Sequence, residues 1–118
     1  MTEQKSCWDQ VAALESVDGD KELLAEMAEL FLQDSSRLVD EIEQAIERGD
    51  SSAVHHSAHT LKGSVANFAA ERARALSLQL ELMGRAGNLS GARERFAQLA
   101  AEIRLVETEL SDFTGATI

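Results

Sequence analysis

The side chains able to do chemistry are concentrated in fifteen consecutive residues, Val54-His55-His56-Ser57-Ala58-His59-Thr60-Leu61-Lys62-Gly63-Ser64-Val65-Ala66-Asn67-Phe68. All three histidines of the chain lie in this stretch, followed closely by Lys62 and Gly63. A neutral imidazole nitrogen is a good nucleophile near pH 7. A phosphoryl group attached to it carries negative charge, which an ammonium three residues further along a helix is close enough to stabilise. His59 and Lys62 have that spacing.

Turning each residue by about 100° sorts the stretch into two faces. Val54, Leu61, Val65 and Phe68 fall together and should face a core. His59 lies opposite, with His55, His56, Lys62, Gly63 and Ala66 around it, so it is expected to face solvent. Gly63 breaks the pattern, because a glycine inside a helix costs about 1 kcal/mol relative to alanine. It follows His59 by one turn on the same face, where the missing side chain would clear the approach to the imidazole. Local rule-breaking of this kind is expected at functional sites. The competing reading is a glycine that lets two helices pack closely.

The elements that must position these residues are helical. The 118 residues contain no proline and only five aromatic side chains, and Ala, Leu, Glu, Arg and Gln are abundant. A short helix is expected from about Trp8 to Val17, with Trp8, Val11, Ala12 and Leu14 as its apolar stripe. Asp20 is a good N-cap for a long helix whose core face reads Leu23, Met27, Leu30, Phe31, Leu38, Ile42, Ala45 and Ile46. Arg48-Gly49-Asp50 ends it, and Asp50 caps the histidine-bearing helix, which runs to about Phe68. A fourth helix starts near Glu71, buries Ala73, Leu76, Leu80 and Met83, and stops at Gly84-Arg85-Ala86-Gly87-Asn88. The last carries Phe96, Leu99, Ile103, Val106, Leu110 and Phe113 at three- and four-residue steps. The fold class is all-α: an antiparallel up-down four-helix bundle with a short N-terminal helix capping one end. One domain over 1–118, with a core of about 8–113, accommodates all of it.

Net charge of −10 argues against nucleic acid as a partner. Residues 51–80 run against that trend, with Lys62, Arg72 and Arg74 facing only Glu71, so the rest of the chain holds −12. A locally basic site on an acidic protein suits a phosphate and an acidic partner pocket. No apolar run is long enough for a membrane span, and no secretory signal is visible. The lone Cys7 reads as an incidental thiol in a reducing cytoplasm. A bundle that buries its apolar stripes is expected to be a monomer, and the polar termini suit a free-standing protein.

The stretch Ala58-His59-Thr60-Leu61-Lys62-Gly63-Ser64, followed by Asn67, resembles the signature of histidine phosphotransfer (HPt) domains. Glu29-Leu30-Phe31-Leu32 before it and Leu80-Glu81-Leu82-Met83-Gly84-Arg85-Ala86-Gly87 after it are also similar, and the resemblance extends from Trp8 to Phe113. It implies a four-helix bundle whose exposed His59 accepts a phosphoryl group from a receiver-domain aspartate, or from a kinase, and passes it to another receiver aspartate. Nε2 would be the attacking atom, Lys62 the phosphate-stabilising cation and Gly63 the access point for the receiver. Mg²⁺ would sit in the receiver, so no cofactor or metal is expected in this chain, and without an ATP site it would be a covalent carrier rather than an enzyme. Two positions depart from the family pattern. Ala69 stands where many members have glycine, and would be strained if that position needs positive φ. Glu81 stands at the spacing of a glutamine that hydrogen-bonds the histidine in some members, and a carboxylate would favour the protonated ring or steer its tautomer.

Three rival readings fit less well. His55 and His59 have the i, i+4 spacing of zinc ligands, but no Cys or acidic residue lies within residues 55–68 to complete a site. A sensor-kinase dimerisation domain typically has an acidic residue after the histidine and a proline soon after, whereas Thr60 follows His59. A receiver-binding adaptor that carries no phosphate would leave the coincidence of nucleophile, cation and gap unexplained.

Overall fold

The computed structural model describes residues 6–117, and among them there are five helices and no strand. They are α1 (Gln10–Ser16), α2 (Lys21–Glu47), α3 (Ser51–Ala66), α4 (Glu71–Ala86) and α5 (Ala92–Thr117). Each start follows from local chemistry. The carboxylates of Asp9, Asp20 and Asp50 accept from the backbone N–H groups of Ala12, Leu23 and Ala53, satisfying donors that a helix leaves unpaired. The Ala53 N–H, with Arg48 beside it, holds the Asp50 carboxyl below its ordinary range.

Short turns make consecutive helices antiparallel neighbours. α2 packs on α3 and α5, α3 on α4, and α4 on α5, closing an up-down bundle. The buried interior includes Leu24, Ala28, Phe31, Leu38 and Ile42 of α2, Val54, Ala58, Leu61 and Val65 of α3, Ala73, Leu76 and Leu80 of α4, and Leu99, Ile103, Val106 and Leu110 of α5. The N-terminal segment closes the end where α3 and α5 finish. Trp8 packs edge-on against Phe68 and Phe113, and the Asp9 N–H donates to the Phe68 carbonyl at 3.1 Å.

Two expectations need correction. On α2 the inward stripe is Leu24, Ala28, Phe31, Ser35, Leu38, Ile42 and Ala45, so Leu23 (41% exposed) and Leu30 (61%) face outward and Met27 is half-buried. Both stripes step by three and four, but only the observed one stays inside over the whole 27-residue helix. It does so by accepting the small Ala28 and the polar Ser35, whose hydroxyl bonds Glu107 of α5. In α1, Trp8 precedes the helix and Val11 is exposed, while Ala13 is the buried residue. α4 ends within the expected stretch, at Ala86, with Gly87 in the left-handed conformation as its stop.

Gly84 has a different task. A Cβ there would lie 2.5 Å from the His55 nitrogen and 2.6 Å from the Ser51 carbonyl oxygen, so the backbones of α3 and α4 meet at this point. Ala69, in the turn between these helices, adopts φ 50°, the left-handed conformation that the missing glycine would hold without strain.

Two substitutions separate these effects. Gly84→Ala should destabilise the fold by about 1–3 kcal/mol, the cost of overpacking against an unyielding backbone. Ala69→Gly should stabilise it by roughly 0.5–1 kcal/mol through relief of the positive φ. Urea unfolding midpoints measure both, and a neutral Gly84→Ala would contradict the close backbone contact.

Candidate functional site

His59 sits midway along α3, with its side chain 64% exposed. The helix is held from beneath, since Val54, Ala58, Leu61 and Val65 on its other face are completely buried. The outer face is polar: the Thr60 hydroxyl donates to the His56 carbonyl and the Ser64 hydroxyl to that of Thr60. Gly63 lies on this exposed face, and a Cβ built there would meet nothing within 4 Å. The helix-packing glycine of the competing reading is Gly84, not Gly63.

Glu81 reaches the site from α4 and is only 7% exposed. Its Oε2 lies 3.2 Å from Nδ1 of His59, and its Oε1 lies 2.8 Å from Nζ of Lys62. The Lys62 contact is an ion pair by proximity rather than an aligned hydrogen bond, since no donor is directed at Oε1. Burying a carboxylate raises its pKa, but Lys62 foremost, then the His59 contact, outweigh that and hold Glu81 below the ordinary carboxylate range. An ionised carboxylate only accepts hydrogen bonds, so Nδ1 of His59 must be the donor. In the neutral ring this leaves the lone pair on Nε2, the nitrogen on the far side of the imidazole from Glu81.

The neighbouring histidine is fixed similarly. Nδ1 of His55 donates to the backbone carbonyl of Glu81 at 3.3 Å, and its ring stacks near-parallel to that of His59 with centroids 6.4 Å apart. His56 is exposed and meets His55 edge-on. Among the described residues, no group of three or more His, Cys, Asp or Glu side chains is placed to hold a metal ion.

The structure therefore brings His59 and Lys62 each into contact with Glu81 and leaves Gly63 as an open gap on the same helix. The helical pattern alone did not reveal three further features: the His55–Glu81 link, the Gly84 contact, and a groove between α2 and α3. That groove is lined by Met27, Leu30, Asp34, Ser64 and Asn67 among others. The outward-facing Leu30, misread as core, was its only visible signal. Cys7 lies apart at the capped end, where burial and then Glu109 push its thiol up to about 12, so it is a poor nucleophile. Among the described residues, no helix is long and apolar enough to cross a membrane.

An exposed histidine with a fixed tautomer, carried on one helix of an up-down bundle, is an arrangement able to accept a phosphoryl group. Comparison with known proteins agrees. The model of the Hpt domain matches residues 26–109. Histidine-containing phosphotransfer protein 4 of Arabidopsis thaliana is 30% identical over 102 residues, covering 85% of this chain and 80% of that protein. The crystal structure of histidine-containing phosphotransfer protein B from Pseudomonas aeruginosa PAO1 superposes with a TM-score of 0.87. At 21% identity, covering 96% of this chain and 98% of that one, it speaks for the fold. The chain belongs to the Hpt domain family, and its function is phosphotransfer in a phosphorelay. Proteins of this family are phosphocarriers that interact with relay partners such as receiver domains.

The Glu81 carboxylate gives a pH test. Its native pKa lies below the ordinary 4.5, so its ionised form adds stability that is present above that value and lost as pH falls through the lower native one. The stability gap between wild type and Glu81→Gln, measured by urea unfolding, should shrink as pH drops below 4.5. A gap that stays constant through the acid range would show that the carboxylate is not ionised and paired.

Proposed function

We propose that His59 is the phosphoryl-accepting residue of this phosphorelay protein. The observation that carries the reading is the exposed imidazole whose Nδ1 is engaged by Glu81, which leaves Nε2 as the nucleophile. The phosphoryl group comes from the aspartate of a receiver domain, or from a kinase, and leaves to the aspartate of another receiver. Lys62 stabilises phosphoryl charge from one turn away, its ammonium held on the same Glu81 carboxylate that the ring contacts. Gly63 gives the receiver access, supported by the empty space around its Cα. Glu81 orients the ring and sets its tautomer.

The chemistry needs little from this chain beyond a positioned nucleophile, so it is a covalent carrier rather than an enzyme. Mg²⁺ belongs to the receiver, and this chain holds no cofactor of its own. It acts as a monomer, without nucleic acid or membrane partners. The compartment we infer is the cytoplasm, where a lone, half-buried thiol such as Cys7 stays reduced.

Transfer from a radiolabelled phospho-receiver should place acid-labile, alkali-stable label on the wild type and none on His59→Gln. Equal labelling of the variant would remove His59 from the mechanism. Gly63→Leu should not lower the urea midpoint and should raise it modestly, because nothing lies within 4 Å of a Cβ there and the helical glycine it replaces costs about 1 kcal/mol. It should slow labelling by about tenfold or more, since small misplacements of reacting groups have effects of that order.

A further inference from the structure

We propose that Glu81 keeps Nδ1 of the ring protonated after His59 is phosphorylated, which makes phospho-His59 a short-lived, ready donor. The inference rests on His59 being the acceptor, and concerns what happens to the group once it has arrived.

The atoms balance as follows. The Nε2 lone pair attacks phosphorus, the Nε2–P bond forms, and the bond from phosphorus to the donor aspartate breaks, its electron pair leaving with that carboxylate. The ring already carries a proton on Nδ1, because the ionised Glu81 can only accept. The product is therefore a cationic ring, with phosphorus on one nitrogen and hydrogen on the other, unless the Nδ1 proton escapes to solvent. A carboxylate oxygen at 3.2 Å opposes that escape by favouring the charged ring. Glu81 is 7% exposed, so solvent and salt reach the pair only from the side of the exposed His59 ring.

Lys62 has a second task in this arrangement. At 2.8 Å from the other oxygen it keeps the carboxylate ionised, so the proton stays on the ring rather than passing to Glu81. The titratable and charged groups facing the ring are His55 and Lys62 on α3 and Glu81 on α4; among the described residues α2 contributes no ion pair or hydrogen bond to it. The Lys62 charge would by itself repel a ring cation, but it is compensated by the carboxylate it touches.

The protonation state decides how the group leaves. When the Nε2–P bond breaks, its electron pair returns to Nε2. A ring that holds hydrogen on Nδ1 departs as neutral imidazole, whereas a ring that has lost it departs as an imidazolate anion, a much poorer leaving group. A glutamine at 81 could keep the hydrogen bond through its carbonyl oxygen but would lack the charge. The carboxylate thus tunes this carrier towards giving the group away, with Glu81 as a positioning and proton-holding residue.

The test uses protein phosphorylated with phosphoramidate, a small donor that needs no protein partner, as wild type and as Glu81→Gln. Phosphorus NMR across pH gives the midpoint of ring titration, and the decay of the same signal near neutral pH gives the lifetime. The wild-type midpoint should lie at least about one pH unit above that of Glu81→Gln, with a variant lifetime roughly tenfold longer. Equal midpoints and lifetimes would overturn the proposal. Nitrogen NMR of phosphorylated wild type tests it without any variant: an unprotonated Nδ1 at neutral pH would overturn it. If wild type takes up no phosphoryl group on His59, the acceptor assignment itself fails, an outcome distinct from phosphorylation with an unprotonated ring.

Discussion

The backbones of α3 and α4 meet at Gly84, and the placement of the reactive group depends on that approach. With only hydrogen at Gly84, the helix lies against the Ser51 carbonyl and the His55 nitrogen. Glu81 lies three residues earlier on the same face of α4, so the contact carries it against the next turns of α3. Its carbonyl reaches the His55 ring and its carboxylate reaches both His59 and Lys62. Were the helices held apart by a side chain at 84, the same carboxylate would sit in water. An exposed ion pair is worth little there and orders little. The packing glycine is thus a determinant of the site although it touches no reacting atom.

A buried carboxylate is tolerable only when both oxygens are compensated. At Glu81 one oxygen faces an ammonium and the other an imidazole N–H, and the two together keep it ionised despite burial. Because it is ionised it cannot donate, and this removes the ambiguity between ring tautomers. Burial is confined to the side of the ring that needs fixing. The other side stays in solvent, where a protein partner can approach.

The periodic parts of the fold were legible from the residues themselves. Aspartates at 20 and 50 mark helix starts, and the α5 stripe from Leu99 to Leu110 repeats without a competing alternative. The first turns of α2 were not legible, because Leu23-Leu24 and Leu30-Phe31 offer two overlapping stripes. The choice is made by contacts from other helices, including the bond from Ser35 to Glu107, which no local pattern encodes. The packing role of Gly84 was not legible for a related reason, since a glycine near a helix end looks the same whether it terminates the helix, as Gly87 does, or packs it. The His59, Lys62 and Gly63 cluster was legible because all three lie on one helix. The Glu81 role came only from the family resemblance, since its distance to the ring is a property of two helices.

The two faces of α3 explain how a helix can carry a costly glycine and an unsupported outer surface without losing order. Val54, Ala58, Leu61 and Val65 are completely buried, and a Val or Leu so placed contributes about 1.5–3 kcal/mol. Against that, the glycine at 63 costs about 1 kcal/mol. The helix is therefore held by its inner face and by the capped end, where Trp8 covers Phe68 and the strained Ala69 turn leads into α4. Rigidity supplied from the core frees the outer face from any duty to stabilise the helix. That freedom is what allows the imidazole to stand exposed, with one nitrogen fixed and the other open.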